Sequence, residues 1–320
     1  IYSQHSANYH RMMLQLSLLY ESRNHRIDRQ TPKPVQEKLK LATRWLIAQL
    51  DPVSGRLPNL GHNDGTLLLP LGSAEYRDYR PTAQASALAF LGTPCLPRGE
   101  WDELSDWLVL SQAEGLTPGH EINSPAVHRV GAGTMWGTLR GVRFTGRPAH
   151  CDQLHVDLWW EGINIAADAG TFSYNAPPPW QNALDSTRVH NTVMLDNTEQ
   201  MHRVSRFLWL DQAQAEWEQC DNENLLKAWH DGYRKLGIVH HRGLQFKSGS
   251  GFVISDEIKN MNDGPTTHKA VIHWLLPDWV WELRGEHLVL QYKGKKINLK
   301  LAAVQEGKAI KADDVSLIRG

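Results

Sequence analysis

The sequence predicts an α+β protein with more than one domain, in which helices occupy the first third of the chain and antiparallel strands the remainder. Up to about residue 110, apolar residues recur at the spacing of an amphipathic helix. After Gly115 they alternate with a period of two, and turn residues become frequent. Strands that follow helices as a block are typical of separate layers or domains, not of βαβ units. We therefore predict domains over residues 1–112 and 113–320, with the transition near 111–125.

Four helices are predicted in the first domain. The first covers residues 8–22 with Asn8 as its N-cap, which places Tyr9 and His10 in an exposed first turn. Its apolar stripe comprises Tyr9, Met12, Met13, Leu16, Leu19 and Tyr20. The others span residues 35–50, 81–92 and 101–110. Prolines introduce the second and third helices, at positions that a helix start tolerates.

The second domain contains runs with the alternating or continuous apolar pattern of strands. These runs are residues 135–144, 153–160, 163–168, 191–196, 207–217, 243–248, 251–258, 270–277 and 287–294. No internal repeat or low-complexity tract interrupts them. We expect His240, His241 and His273, which fall in these strands or beside them, to be structural.

Composition bounds the class of protein. At 320 residues, 41% hydrophobic and 22% charged, the chain is long enough for about two globular domains with ample core. The net charge of −1 provides no global field toward nucleic acid or a membrane, so an acidic polymer would be held by local arginines and histidines. Thirteen tryptophans can serve as core or as sugar-stacking platforms. Cys95, Cys151 and Cys220 are too few for a disulfide framework.

The sequence contains no apolar run of membrane-spanning length and no visible signal peptide. It begins at Ile1, without methionine and directly in a motif. We therefore interpret the chain as a fragment or processed form that lacks N-terminal helices.

Two histidines and an aspartate fall at the ends of neighbouring predicted strands. His150 opens the first strand together with Asp152, Asp168 closes the second, and His190 begins the third. Two imidazoles and a carboxylate form a donor set that zinc accepts, whereas the alternative is histidines hydrogen-bonded within a sheet. If a metal is bound, we expect Asp152 to orient a ligand and not to bind directly. Cys151 should face the opposite side of the strand, in the core.

Several motifs recur in a fixed order along the chain. They are Ser6-Ala7-Asn8-Tyr9-His10-Arg11, His150-x-Asp152, Asp168-x-Gly170-Thr171-x-x-Tyr174 and Thr187-Arg188-x-His190-Asn191-Thr192-Val193. With these motifs the chain resembles the heparinase II/III-like polysaccharide lyases over most of its length, more weakly after about Trp217. The resemblance implies a partial (α/α) helical toroid over residues 1–112, followed by an antiparallel β-sandwich over residues 113–320. It also implies a periplasmic or secreted protein.

The resemblance further implies β-elimination of a uronic-acid polysaccharide such as a glycosaminoglycan, with or without sulfate groups. Tyr9 would be the catalytic base and acid, and His10 and Arg11 would lower its pKa or touch the substrate. His150, Asp168 and His190 would hold a structural zinc ion. Some relatives carry a second, catalytic histidine two residues before the ligand, and this chain has Pro148 there. His150 is therefore expected to act as ligand, as catalyst or as neither.

Further substrate contacts are expected in two loops. Asn59, Asn63 and Asp64 occupy a segment that resembles the family's Asn-Asp-Gly loop near the cleft, although ordinary turn chemistry also explains such residues. Arg77 and Arg80 are candidates for bidentate binding of a carboxylate or sulfate, against the alternative of a solvated helix start. The family residue that neutralises the uronate carboxylate would lie before Ile1.

Two other classes of function remain open. A toroid glycoside hydrolase would need a carboxylate pair across the bond, for which Asp64 and Glu75 are the candidates. A non-catalytic protein that binds acidic polysaccharide around a structural metal is favoured by Pro148. The pattern names neither the polysaccharide and its linkage nor the mode of attack, and it does not predict an oligomeric state.

Overall fold

A computed structural model describes residues 5–110, 128–261, 267–305, 308–310 and 316. The chain divides into two compact units, Ile1–Leu275 and Leu276–Gly320. The boundary predicted between residues 112 and 113 falls in the stretch 111–127, outside the described residues. All four predicted helices and most of the strands belong to the first unit.

The helices lie where the apolar spacing predicts them. They are α1 (Ala7–Arg26), α2 (Lys33–Gln49), α3 (Arg80–Ser86) and α4 (Glu103–Trp107). A π-helical turn, Ala87–Leu91, extends α3 to Gly92, whose left-handed backbone (φ 73°) ends the helix as predicted. None of the helices in the described ranges combines the length and apolar character that a membrane span needs.

The buried face of α1 differs from the predicted stripe. Leu16, Leu19 and Tyr20 are exposed, so that part of the prediction was wrong. The buried residues are Ala7, Asn8, His10, Arg11, Leu14, Gln15, Leu18, Ser22 and Asn24. Several of these are polar, and they hydrogen-bond to other segments of the chain; Gln15, for example, donates to Thr82 Oγ1 over 3.2 Å. The N-cap is Ser6, not Asn8, and its hydroxyl accepts from the Tyr9 amide over 3.0 Å.

The helical core forms where α1 contacts α2 and α3. Its central members are Leu14, Leu18, Leu39, Trp45, Leu46, Ala83, Phe90 and Leu104. In α2, the predicted register is confirmed for Leu39, Leu46 and Leu50, which are buried, whereas Val35 is exposed. The burial of this apolar surface holds the loop between α2 and α3 against α1.

Antiparallel sheets make up the rest of the first unit. One four-stranded sheet contains β1 (Arg129–Ala132), β2 (Met135–Leu139), β3 (Val156–Trp160) and β4 (Ile163–Ala166). A second contains β8 (Ala215–Glu218), β9 (Leu225–His230), β10 (Ile238–Lys247) and β11 (Gly251–Asn260). Because β1 and β2 contact β10, and β1 also contacts β9, the two sheets lie against each other.

Two short strand pairs complete this unit. They are β5 (Val193–Leu195) with β12 (Ala270–Ile272), and β6 (His202–Ser205) with β7 (Leu208–Leu210). In the second unit, β13 (Val280–Arg284), β14 (His287–Tyr292) and β15 (Lys295–Lys300) form a meander, and β16 (Ala303–Gln305) pairs with β17 (Lys308–Ile310). Each of the nine predicted runs contains a strand, and no α-helix follows α4 in the described residues.

Arg129 joins the helical part of the first unit to its sheets. From β1, its guanidinium donates to the carbonyls of Ala48 (3.1 Å) and Leu50 (3.0 Å) at the end of α2. These carbonyls are among those that a helix C-terminus leaves unpaired. The guanidinium also lies 3.7 Å from the ring centroid of Trp136, whose indole donates to Asp51 over 2.9 Å. These contacts fix the end of α2 against the sheet that contains β1 and β2.

Candidate functional site

The His150 segment is a loop and not the predicted start of a strand. β3 begins only at Val156, and Leu154 has a positive φ of 58°. The loop is anchored by its backbone, since the Cys151 amide donates to the Asp185 carbonyl over 2.8 Å. Cys151 is buried in an apolar cluster, as predicted. This irregular path carries His150 toward the ends of β4 and β5, a course that strand alternation does not predict.

His150, Asp168 and His190 meet in the interior of the protein. One ligand atom from each lies within 4.8 Å of the others. Both histidines are fully buried and Asp168 is 5% exposed. Nδ1 of His190 is 3.4 Å from Oδ2 of Asp168. The three residues predicted from the sequence therefore form a possible metal site.

The polar atoms of this cluster fit a bound cation. Asp168 Oδ1 accepts from the Gly170 amide (2.7 Å), but Oδ2 and all four ring nitrogens of His150 and His190 make no hydrogen bond within the described part of the chain. Buried polar atoms without partners are costly and uncommon. A cation shared by two imidazole nitrogens and one carboxylate oxygen would satisfy one such atom on each residue.

Asp152 lies beside this cluster but is paired elsewhere. Its Oδ2 is 2.8 Å from Nε of Arg140, and both side chains are buried. Burial opposes ionisation of Asp152, yet the Arg140 guanidinium and the nearby histidines hold its pKa below the ordinary value. Asp152 is not one of the three grouped residues, and its geometry suits the outer role expected from the sequence.

His155 is a further member of the site that the sequence pattern did not single out. Its Nδ1 accepts from the Asn191 amide over 3.0 Å, so in the neutral ring Nε2 carries the proton. Nε2 lies 3.6 Å from Oδ2 of Asp157 and 3.8 Å from Oδ2 of Asp168. Both distances exceed that of a hydrogen bond, and Nε2 makes none within the described residues, so His155 adds a third imidazole beside the Asp168 carboxylate. The only indication in the sequence was that His155 and Asp157 lie on the same, polar face of the predicted strand.

Asn191 holds the chain segments around the cluster together. Its side-chain nitrogen, Nδ2, donates to the backbone carbonyls of Val156 (2.9 Å) and Ala167 (3.0 Å). Its side-chain oxygen accepts from the Leu275 amide over 2.6 Å. Asn191 thus ties the segment that carries His190 to β3, to the end of β4 and to the segment after β12.

The other predicted structural histidines lie in hydrogen-bonded settings. His240 Nε2 is 2.7 Å from Asp256 Oδ1, and His241 Nδ1 is 2.8 Å from Glu218 Oε1. The His273 amide donates to the Thr192 carbonyl over 3.3 Å. The contacts of His240 and His241 agree with a structural role, whereas His273 is held through its backbone and its buried Nδ1 makes no hydrogen bond within the described residues.

Tyr9, in the first turn of α1, lies beside two other polar groups. Its hydroxyl donates to Asp64 Oδ2 (3.1 Å) and is 3.2 Å from the Tyr174 hydroxyl. The expectation that His10 and Arg11 lower the pKa of Tyr9 was wrong. Burial raises that pKa, and the Asp64 carboxylate raises it further against the opposing Tyr174 hydrogen bond.

His10 and Arg11 are buried and line neither of the two cavities described below, which corrects their expected role as substrate contacts. His10 is buried, with Nε2 2.9 Å from the Ala42 carbonyl and its ring against Trp45. Arg11 is also buried and donates to the Tyr76 carbonyl (2.5 Å). Its guanidinium lies 4.4 Å from each of the Tyr76 and Tyr79 ring centroids. Both side chains therefore pack in the protein interior next to Tyr9.

Two cavities lie near Tyr9, which itself lines only the smaller one. A large cavity of about 920 Å³ is lined by residues from the α2–α3 loop and from the segments around β4, including Asn59, Asn63, Asp64, Tyr76, Arg77, Asp168 and Tyr174. A small pocket of about 310 Å³ is lined by Tyr9, Met12, His62, Asp64, Arg147, Tyr174 and Phe207. Asp64 and Tyr174 line both, so the two spaces meet at the groups that contact Tyr9.

The structure separates the remaining candidates. Asn59, Asn63 and Asp64 line the large cavity. Arg80 lines neither space, because it pairs with Asp78 at 2.6 Å. Glu75 is also absent from both linings and pairs with Arg56 at 3.4 Å, so Asp64 and Glu75 do not form the carboxylate pair considered for hydrolysis. His150 is fully buried and lines neither space, so its position suits a metal ligand better than a catalyst.

Tyr76 is a cavity residue that the sequence analysis did not assign, whereas Arg77, a candidate from the sequence, also lines the large cavity. The Tyr76 hydroxyl donates to Asn63 Oδ1 (2.7 Å) and lies 3.1 Å from Asn8 Oδ1. Asn8 in turn donates to Asp64 Oδ1 over 3.4 Å. These hydrogen bonds link α1 to the loop between α2 and α3, which lines the large cavity. A tyrosine in an irregular loop carries no periodic signal that could have indicated it.

These features define an antiparallel β-sandwich protein with a buried His/Asp/His centre beside a polar cavity. The family model described as "Heparinase II/III-like, C-terminal" matches residues 138–315, more than half of the chain. The chain belongs to the heparinase II/III-like family.

Several solved structures share the fold. The heparan sulfate lyase HepC from Pedobacter heparinus is 18% identical with a TM-score of 0.62, over 96% of this chain and 48% of that one. A HepC mutant from the same organism is 17% identical with a TM-score of 0.63, over 91% of this chain and 43% of that one. A heparinase III structure is 12% identical with a TM-score of 0.53, over 86% of this chain and 42% of that one. The chain thus spans less than half the length of each, and at these identities the likeness shows the fold alone. No curated protein matches the chain.

Proposed function

We propose that this chain is part of a polysaccharide lyase that cleaves a uronic-acid polysaccharide by β-elimination. Membership of the heparinase II/III-like family supports this class, as do solved structures of the same fold that are named as heparan sulfate lyases. The observation that carries the proposal is the Tyr9 hydroxyl, which lies with Asp64 and Tyr174 where two cavities meet.

In this proposal Tyr9 transfers the proton. β-Elimination removes the proton on C5 of a uronate, places negative charge on the adjacent carboxylate, and breaks the bond from C4 to the leaving oxygen. The Tyr9 phenolate takes the C5 proton, and the hydroxyl so formed donates that proton to the leaving oxygen as the C4–O bond breaks, which restores the phenolate. Because the pKa of Tyr9 is raised, the phenolate is the minor form at rest but a strong base. Arg77, an exposed cation in the lining of the large cavity, is placed to stabilise the developing negative charge.

We further propose that the metal is zinc and that its role is structural. Two imidazoles and one carboxylate suit zinc, with a fourth position left for another group. Bound there, the ion would supply positive charge that pairs the buried Asp168 carboxylate. His150 and His190 would then hold their segments in place beside the cavity wall that Asp168 contributes.

The remaining parts of the proposal concern the whole protein. We assign α1–α4 to the (α/α) toroid of a longer protein and residues 113–320 to its β-sandwich domain, with the boundary between 112 and 113. Family membership supports a periplasmic or secreted location and an acidic polysaccharide, such as a glycosaminoglycan, as the partner.

Pro148 favours a second candidate, a non-catalytic protein that binds acidic polysaccharide. It stands where some relatives carry a catalytic histidine, and it is buried. Such a protein would use the same cavities and the same structural metal, but it would release no unsaturated product.

The deciding experiment measures the ultraviolet absorbance of unsaturated uronate products. This chain, and the longest natural form that contains it, are incubated with heparan sulfate, unsulfated heparosan, hyaluronan, chondroitin sulfate and alginate. A lyase raises the absorbance on at least one polymer. Chain shortening without absorbance indicates a hydrolase, and binding without either indicates the non-catalytic candidate.

A further inference from the structure

The small pocket has the composition of a sugar-binding subsite. Its lining combines the apolar side chains of Met12 and Phe207 with the polar side chains of His62 and Arg147, and the Tyr9 hydroxyl borders it. Aromatic and apolar surfaces pack against sugar faces, while a few polar groups fix the orientation of the ligand. The large cavity on the other side of Asp64 and Tyr174 would hold the adjoining sugars.

His62 contributes a buried polar atom without a partner. Its side chain is 8% exposed, and Nε2 makes no hydrogen bond within the described ranges. The ring packs edge to face against Tyr174 at 5.4 Å and Phe207 at 5.6 Å between centroids, so it is held in place. Because Nε2 itself is fully buried, the His62 ring contributes a fixed aromatic edge to the pocket wall and not a hydrogen bond to the ligand.

Arg147 contributes a positive charge to the small pocket. It is exposed and has no ion-pair partner among the residues that the structure describes. It immediately precedes the buried residues Pro148, Ala149 and His150, so its backbone is anchored next to the possible metal site. A guanidinium binds a carboxylate or a sulfate with two parallel hydrogen bonds.

Cations therefore lie on both sides of Tyr9. Arg77 lines the large cavity and Arg147 lines the small pocket, whereas the Asp64 carboxylate lies between them. The pKa of Asp64 is lowered, because hydrogen bonds from Thr66 and Tyr9 outweigh the opposing effect of burial, so it is ionised at neutral pH. Its negative charge repels an anionic group of the ligand that would lie between Arg77 and Arg147. Such groups are therefore expected at the two arginines.

We propose that the small pocket binds a second acidic sugar through Arg147, so the preferred substrate carries anionic groups on the sugars on both sides of the cleaved bond. This inference rests on the proposed lyase function and deepens it. The anion can be a carboxylate, as in a polymer of uronates alone, or a sulfate on an amino sugar that alternates with uronate. A chain in which uronate alternates with a neutral sugar leaves Arg147 unpaired.

The test compares three polymers and four proteins. Heparan sulfate and heparosan share a backbone and differ in sulfation, while alginate carries a carboxylate on every sugar. For the wild type, kcat/KM should be higher on heparan sulfate, on alginate or on both than on heparosan. Arg147→Gln should lower kcat/KM on the preferred polymer by roughly 10- to 100-fold and leave heparosan nearly unchanged. Arg147→Lys should recover part of the loss, because it restores charge without the bidentate geometry.

Arg143→Gln is the matched control. Arg143 is an exposed arginine of the same β2–β3 connection, but its partner is Glu216 at 3.8 Å. This variant should keep the wild-type preference. An equal loss on all three polymers for Arg147→Gln, or no loss on any, overturns the proposal.

Failure of the lyase proposal is recognised separately. If the wild type forms no unsaturated product from any polymer, calorimetry with size-defined heparan sulfate and heparosan oligosaccharides replaces kinetics. Weaker binding of the sulfated oligosaccharide by Arg147→Gln, with Arg143→Gln unaffected, supports the subsite even then. Equal binding by both variants, or no binding by the wild type, overturns it.

Discussion

The hydroxyl of Tyr9 and the carboxylate of Asp64 meet at 3.1 Å, although 55 positions separate them in the chain. The contact joins the first turn of α1 to the loop between α2 and α3. It keeps Tyr9 protonated at rest, because a nearby negative charge disfavours the phenolate. The phenolate that the proposed proton abstraction requires is therefore the less populated form of Tyr9, and Tyr9 becomes the proton donor once it has taken the C5 proton.

Tyr9→Phe should abolish most of the activity while leaving the fold intact. The substitution keeps the ring and removes only the hydroxyl, so the loss reports proton transfer, worth on the order of 10²–10⁴ in rate. Turnover is measured on the polymer identified by the absorbance screen, with thermal unfolding in parallel. Tyr20→Phe is the control, since Tyr20 lies exposed on the same helix. A folded Tyr9→Phe protein with most of its activity would assign the proton transfer to another residue.

Asp64→Asn should lower the pKa of Tyr9. The carboxylate raises that pKa both through its charge and through the hydrogen bond that it accepts, and the amide removes the charge. The measurement is an ultraviolet tyrosinate titration of Asp64→Asn, corrected with the Asp64→Asn/Tyr9→Phe double variant. The wild type is corrected in the same way with Tyr9→Phe.

Asp106→Asn removes an exposed carboxylate from α4 and serves as the control for this titration. It should leave the Tyr9 titration where it is in the wild type. An unchanged Tyr9 titration in Asp64→Asn would show that burial alone sets the pKa.

Metal analysis of the purified protein should find one zinc ion per chain. Chelation should lower the unfolding temperature, because binding to the folded state alone adds about 4 kcal/mol at a free metal concentration a thousand times Kd. His190→Ala should lose the metal and part of this stability, whereas His202→Ala, at an exposed histidine, should keep both. Stoichiometric metal in His190→Ala would argue against the three-residue site.

Asp256→Asn should destabilise the protein by roughly 3 kcal/mol at neutral pH, since it leaves the buried Arg242 without its carboxylate. Arg242 also donates to the carbonyls of Leu154 (2.8 Å) and Asn191 (2.5 Å), so the effect should extend to the metal-site loops. Glu257→Gln on the same strand is the control. It breaks an exposed pair with Lys259 at 3.1 Å, and its cost should stay below about 1 kcal/mol.

The same carboxylate predicts a pH dependence of stability. Burial opposes ionisation of Asp256, but Arg242 and His240 hold its folded-state pKa well below the ordinary value of 3.8. A group with a depressed folded pKa contributes stability above its unfolded pKa and loses it as the pH falls toward the folded one. The difference in the free energy of unfolding between wild type and Asp256→Asn should therefore be largest at neutral pH and decrease below about pH 4. Urea unfolding across this range checks the trend, and a constant difference would contradict it.

The sequence by itself determined the order of helices and strands and the three residues of the possible metal site. Helical spacing located α1–α4, and alternating apolar residues located strands in all nine predicted runs, because burial of one face imposes a period on the chain. Asp168 and His190 could be named from the predicted strands that they follow and precede, whereas His150, which lies in a loop, was named correctly only through its motif.

Only the tertiary structure decided which face of α1 is buried and which polar residues surround Tyr9. Periodicity identifies a buried face when that face is apolar, but α1 buries Asn8, Arg11 and Gln15, whose partners lie more than 50 positions away. The expected roles of His10 and Arg11 failed for this reason, since their neighbours in sequence are not their neighbours in space. Long-range hydrogen bonds leave no period in the sequence, so only the folded chain reveals them.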